Sequence, residues 1–274
     1  MSIGKGCDYP SWAKGVALLV LAGSLLTSCA SLDRTASIDL QRTLAPSGTL
    51  RIGLYPGTPT SIIPGTSGAP PRGVGHDLGI EMARRLGVQH ELVVFSKNAE
   101  VLDAVKTGKV DVAFTNASAS RARDMDFTEP YLEIELGYLV PRESAISNLT
   151  GVDQSGIRVG VTENSSSDSA LSRDLRNAKV VRSPTVKHGI ELMASGRIDA
   201  YATNKATLFE MADELPGAKV LGERWGVERH ALAIPKGREQ GLPFARQFAA
   251  QVRADGFVRA AAARAGLRGM TDSP

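Results

Sequence analysis

Cysteine is nearly absent from this 274-residue chain: Cys7 and Cys29 are its two, and both fall within the first thirty residues. No disulfide or cysteine-bound metal can therefore form wholly beyond residue 29, and the pair itself reads as a bridge, a metal fragment or neither according to what the N-terminus is. Histidine is scarce as well. His76, His90, His188 and His230 show no metal-ligand spacing, so no zinc or other metal is expected. Aromatic residues make up 5%, too few for a platform that stacks single-stranded nucleic acid. An excess of one charge is missing too: Lys+Arg of 32 against Asp+Glu of 29 leaves +3, and no run of five like charges occurs. A nucleic-acid or anionic-membrane partner has no electrostatic support from that balance. What the chain does have is 42% hydrophobic and 22% charged residues, which excludes disorder. Its length suits one large domain or two of about 100 to 150 residues.

Long apolar runs are also lacking. Val16 to Leu26 (VALLVLAGSLL) is an uncharged stretch of eleven residues preceded by Lys5 and Lys14. At roughly 1.5 Å per residue it reaches about 16 Å, half of the ~30 Å hydrocarbon core, so it reads as a signal-peptide h-region and not as a span. Leu26-Thr27-Ser28-Cys29 follows directly and resembles the bacterial lipobox, which implies cleavage after residue 28 and lipidation of Cys29. The alternative is a plain cleaved signal with Cys29 a bystander. Removing residues 1–28, with Lys5, Lys14 and Asp8, leaves 30 basic and 28 acidic residues, a net +2. Residues 29–48, rich in Ser, Thr, Ala and Asp without a clear apolar period, read as a tether.

The most informative pattern is an internal repeat. Thr107-Gly108-Lys109-Val110-Asp111-Val112-Ala113-Phe114-Thr115-Asn116 returns as Ser195-Gly196-Arg197-Ile198-Asp199-Ala200-Tyr201-Ala202-Thr203-Asn204, at an offset of 88. Leu50-Arg51-Ile52-Gly53-Leu54 returns as Ile157-Arg158-Val159-Gly160-Val161. The longer unit follows a helical pattern each time, ends it with a glycine suited to a left-handed conformation, and continues as an alternating strand. The first half thus reads as a strand at Arg51 to Tyr55, a helix from Asp77 to Leu86, a strand at Glu91 to Phe95, a helix at Glu100 to Lys106 and a strand at Val110 to Thr115. Alternating strands and helices imply mostly parallel sheet with right-handed crossovers, and two halves imply a bilobal α/β molecule. Ligands of such sheets bind beyond the carboxyl ends of the strands. The repeat places Thr115-Asn116 and Thr203-Asn204 there, with the loops Tyr55 to Ser61 and Thr162 to Ser167, so hydroxyls, amides and backbone converge on one interlobe cleft suited to a small polar solute.

Several further marks stand in order along the chain: Gly75-His76-Asp77-Leu78, Ser118-Ala119-Ser120-Arg121, Asp126-Phe127-Thr128-Glu129-Pro130-Tyr131 and Ala254-Asp255-Gly256-Phe257. Together with the repeat they resemble the family 3 extracellular solute-binding proteins, the periplasmic-binding-protein type serving ABC importers of polar amino acids, from about Leu50 to Leu267. The resemblance implies a type II two-lobed fold with two hinge crossovers, near Leu132 to Leu136 and Arg229 to Ala233. Lobe 1 would be 49–133 with 229–268, lobe 2 would be 134–228, and 269–274 a tail. It also implies a solute receptor on the periplasmic or extracytoplasmic face, lipid-anchored to a membrane, monomeric, free of any cofactor and partnered by an ABC permease in the inner membrane.

Residue by residue, Arg121, six positions before Phe127, matches the family's carboxylate-gripping arginine, whose fork makes two parallel charge-assisted hydrogen bonds. On spacing alone it would read as a solvated surface arginine. Ser118 and Asn116 match neighbouring polar contacts, Thr115 and Tyr55 flank them, and Ser165 and Ser166 match paired hydroxyls on lobe 2. Asn204 departs from the pattern. An aspartate usually receives the ammonium group there, and an amide offers no opposite charge. The loop Tyr55 to Pro64 also lacks an acid, so a carboxylated solute without a free amine is at least as plausible as an α-amino acid.

The same fold hosts periplasmic cyclohexadienyl dehydratases, and that alternative requires a buried acid of raised pKa, for which Glu163 is the candidate. A solute-sensing module acting through a partner is the third reading. Gly73-Val74-Gly75-His76-Asp77-Leu78-Gly79 imitates a dinucleotide fingerprint, but its third glycine comes one place late, and it reads as a turn with Asp77 near the helix start.

Overall fold

The computed structural model describes Met1 and residues 37–66 and 68–271. The expected signal peptide and the lipidation of Cys29 fall on residues 2–36, outside the described residues, as does the end of the expected tail. In chain order the elements are helix α1 over 37–44, then β1 Thr49–Leu54, α2 Val74–Leu86, β2 Gln89–Val94, α3 Asn98–Lys106, β3 Val112–Asn116, β4 Met125–Phe127 and β5 Leu132–Val140. The second half continues with β6 Arg158–Thr162, α4 Ser166–Asp174, β7 Lys179–Ser183, α5 Val186–Ala194, β8 Ala200–Asn204, α6 Lys205–Glu214 and β9 Lys219–Val220. β10 Gly226–Pro235, α7 Leu242–Ala254 and α8 Phe257–Ala265 complete the chain.

The main path of the sheet runs β2-β1-β3-β10-β5-β8-β6-β7, with β4 on β10 and β9 on β5. Within each half the pairing is parallel: β1 with β2 and β3, β6 with β7 and β8. The joins are antiparallel, β10 with β3 and β5, and β5 with β8. This is the two-lobed type II architecture, and its two crossovers are β5 and β10, paired from Gly226↔Leu136 to His230↔Leu132. The second crossing thus lies at 226–230, and from 230 to 233 the same strand pairs with β3.

The internal repeat has a physical cause. Asp111 accepts from the backbone N–H of Arg51 at 2.8 Å and from its guanidinium at 2.9 and 2.7 Å, and Asp199 does the same for Arg158 at 2.8, 2.8 and 2.7 Å. The Arg of one repeated unit therefore clamps the Asp of the other, fixing two parallel strands in register in each half. The repeated strand glycines serve the same joint. A Cβ on Gly53 would stand 3.1 Å from Val110, and one on Gly160 would stand 2.6 Å from Ile198, the equivalent residue. Gly108 and Gly196 take φ of 68° and 65°, the left-handed conformation that releases the chain from α3 and α5.

Two helices begin differently from the sequence expectation. α2 starts at Val74, three residues before Asp77, because Val74 shares one buried stripe with Leu78, Met82 and Leu86. The expected tether is helical over 37–44, and its Leu44 is fully buried among Leu50, Phe248 and Val252. The imitation fingerprint is a packing device: a Cβ on Gly79 would meet Ile52 Cγ2 at 2.6 Å, and one on Gly73 the Ser61 carbonyl oxygen at 2.2 Å. At the other end, Gly269 O accepts from Glu135 N at 2.9 Å and Thr271 N donates to Glu133 O at 3.1 Å, so the chain past α8 runs along the crossover β5.

Apolar side chains pack on both faces of each half. Leu50, Ile52, Leu78 and Phe248 belong to one layer of the first half, and Val101, Val105 and Met125 to the other. Val159, Val161 and Leu171 face Leu192, Tyr201 and Met211 across the second half. Among the described residues no helix is long and apolar enough to cross a membrane.

Candidate functional site

The carboxyl ends of β1, β3, β6 and β8 open onto one cavity of about 510 Å³ between the halves of the sheet. Tyr55, Thr115, Asn116, Arg121, Ser165, Ser166 and Asn204 all line it. Its apolar walls are Ile63, Val186, Ile190 and Met211.

Arg121 enters from a short 3-10 turn, Arg121–Arg123. Its Nη1 donates to Thr115 Oγ1 at 3.1 Å and to the Asn116 carbonyl at 2.9 Å, while Nη2 and Nε have no protein partner among the described residues. Half of the guanidinium fork is thus pinned by the end of β3, and the other half is available to a carboxylate. Burial pushes the guanidinium down from its ordinary value, with Glu228 and Tyr55 opposing. Ser118 lies off the cavity lining: its Oγ accepts from Arg121 N at 3.3 Å and shares a hydrogen bond with Ser120 at 3.0 Å, shaping the turn that carries the arginine. The Asn116 amide oxygen is also occupied, accepting from Arg229 N at 2.9 Å.

Opposite stand two helix N-termini. Ser165 caps α4, accepting from Asp168 N at 3.0 Å, so the first-turn N–H groups of α4 and the neighbouring hydroxyls face the cavity end of β6. Asn204 caps α6 through Oδ1, which takes the Thr207 N–H at 3.0 Å and the Thr207 hydroxyl at 3.1 Å. That bond fixes the amide's orientation. Its Nδ2 therefore points the other way, donating to Glu228 Oε2 at 3.1 Å.

Glu228 and His230 are buried cavity residues that sequence reasoning missed, as it missed Lys187 and Glu210 on the same lining. They alternate along β10 with Arg229, whose side chain turns away to Glu133 at 3.0 Å. Glu228, 6% exposed, receives the Ser166 hydroxyl on Oε1 and, on Oε2, His230 Nε2 at 3.2 Å besides the Asn204 amide. Burial opposes its ionisation, but His230, the Ser166 hydroxyl and the charge of Arg121 outweigh that and hold the carboxyl at about 2. Burial, and next the Glu228 charge, push the Tyr55 phenol up to about 12. The signal available in sequence was an acid and a histidine two apart, on one side of a strand that turns apolar from Ala231 onward. Two contacts join the halves beside the cavity: the Thr207 and Thr58 hydroxyls share a hydrogen bond at 3.0 Å, and Arg72 pairs with Glu210 at 2.9 Å. Among the described residues no cluster of three or more His, Cys, Asp or Glu could hold a metal ion.

The profile of the bacterial extracellular solute-binding proteins, family 3, matches residues 50–265. The chain belongs to that family. Among curated relatives it is 26% identical to the ABC transporter glutamine-binding protein GlnH of Bacillus subtilis over 136 residues, which are 49% of this chain and 50% of that protein. The chain thus spans only half of that relative's length. It is 23% identical to the L-cystine-binding protein TcyJ of Escherichia coli K12 over 247 residues, 89% and 92% of the two chains. Among solved structures, an ancestral arginine-binding protein bound to glutamine superposes with a TM-score of 0.70 at 26% identity, covering 78% of this chain and 96% of the other.

Proposed function

We propose that this protein is an extracytoplasmic receptor that captures a small polar, carboxylate-bearing solute, an amino acid or derivative, and delivers it to an ABC permease. One observation carries the reading: Arg121 stands in the wall of an interlobe cavity with one nitrogen fixed by Thr115 and Asn116 and two nitrogens unengaged among the described residues. Ser165, Ser166 and the N-terminus of α4 supply further donors for the same carboxylate. The relatives named for glutamine and cystine, and a structural neighbour holding glutamine, support an amino-acid-like solute. The proposed lobes are 49–133 with 229–268 and 134–228; the buried clusters keep most of each apart, while Leu44, Ala45, Ile134 and Ala206 join the first-half cluster from outside those bounds. In this reading Cys29 anchors a monomeric receptor to the membrane.

The dehydratase alternative needs a buried acid that stays protonated. Glu163 is exposed and off the cavity lining, and the acid that is buried there, Glu228, is held ionised. The binding reading is therefore the better one. A thermal-shift panel of amino acids, opines, dicarboxylates and aromatic acids tests it. At least one compound should raise the melting temperature of the wild type, and Arg121→Ala should abolish that rise. An unchanged response in Arg121→Ala removes the arginine from the site, and turnover of prephenate or arogenate to an aromatic product replaces the receptor by an enzyme.

A further inference from the structure

Glu228 belongs to no motif of the sequence and stands on a crossover strand, yet it is the buried acid of the cavity. We propose that Glu228 receives the positive charge of the solute, so that the cleft selects a molecule carrying an amine beside its carboxylate over the same molecule without the amine; the inference rests on the receptor reading above.

The first ground is charge. Among the described residues Glu228 has no Lys or Arg within ion-pair distance, and His230 is its one ionisable partner at that range. Arg121, bonded to the end of the strand that pairs with β10, acts on it through space. A solute carboxylate seated on Arg121 neutralises that influence and adds a second negative charge to the same enclosed space. Two like charges in a low-dielectric site repel strongly, whereas an ammonium on the same solute cancels the second one. The second ground is hydrogen-bonding capacity. A carboxylate offers about four acceptor positions. Ser166, Asn204 and His230 fill three, which leaves room for one more donor.

Asn204 then has a different part from the one its position suggests. Its Oδ1 is used by the α6 cap, and its Nδ2 is aimed at Glu228, so the amide orients the acid and has no free acceptor for an ammonium. The negative charge absent at 204 is present at 228, on another element of the same cavity wall.

Calorimetric titration of the twenty L-amino acids and the α-deaminated counterpart of each tests the assignment. The wild type should bind at least one amino acid about tenfold or more tightly than its deaminated form, the size expected for a hydrogen bond to a charged group. Glu228→Gln should lose that preference, binding the amino acid about tenfold or more weakly and the deaminated acid no worse. Asn204→Asp combined with Glu228→Gln returns a charge to the wall and should restore part of the preference. Equal wild-type affinity for the two forms, or amino-acid affinity within about threefold in Glu228→Gln, overturns the proposal. The wild-type comparison stands whether or not the variants fold. If only deaminated acids bind, the receptor reading holds and the role of Glu228 falls; if nothing in either set binds, the role of Glu228 falls, and the receptor reading falls with it only if the wider panel also fails.

Discussion

At the scale of single residues the cavity is organised by two opposite charges that each element holds for a different reason. Arg121 is pinned by the end of β3, and Glu228 is pinned by three donors from two helix N-termini and its own strand. The depressed Glu228 pKa has a stability consequence of definite sign. Its folded value of about 2 lies below the ordinary glutamate range near 4.3, so its contribution is fully present above that range and is lost as pH falls towards 2. Each pH unit over which the unfolded chain binds one proton more than the folded one costs about 1.4 kcal/mol. Urea midpoints measured between pH 5 and pH 3 should therefore fall, and the fall should be shallower in Glu228→Gln. Parallel slopes in the two proteins would contradict the assignment of that titration. Of this pair, Arg121 was legible because a motif surrounds it. Glu228 was not, because an acid next to Arg229 and His230 reads as a solvated face until the strand's alternation and its register with Ile134 place it inside.

At the scale of elements, the repeated units are readable because each carries half of one joint. Arg51 needs Asp111, and Arg158 needs Asp199, so the four residues recur in pairs that are far apart in sequence and adjacent in space. The two joints are not equally buried. The Asp111 side chain is 0% exposed and also pairs with Arg238 at 2.7 Å, while that of Asp199 is 31% exposed. Asp111→Ala strands two guanidinium groups and should destabilise by roughly 3–5 kcal/mol, whereas Asp199→Ala should cost roughly 1–2 kcal/mol. Chemical denaturation of the two variants checks the order; equal losses would mean that the joints share their load in another way. Helix α1 escaped the sequence because its contact with the core rests on few side chains, Leu44 above all, and gives no apolar period over eight residues. The start of α2 was misplaced by three residues for the opposite reason: Val74 extends the buried stripe past the acid that looked like a helix start.

For the whole molecule, the parallel halves were legible from the repeat, whereas the antiparallel join was legible only through the family resemblance, since nothing local in β5 or β10 announces that they cross side by side. That join is what matters for function. It brings Glu228 from the second crossover into the cavity formed by loops of both halves, and the contacts Thr58–Thr207 and Arg72–Glu210 join the same halves beside it. A solute held by Arg121 of the first half, by Ser166 of the second and by Glu228 on the crossover between them would therefore tie the halves to each other, which is how binding can favour the closed arrangement.

The most direct measurement is a crystal structure of the protein with the amino acid that binds it best. The solute carboxylate should lie within hydrogen-bond distance of Arg121 Nη2 or Nε and the solute amine within hydrogen-bond distance of a Glu228 carboxylate oxygen. A solute bound with its carboxylate away from Arg121, or lying outside the cavity between the two halves, would contradict that placement.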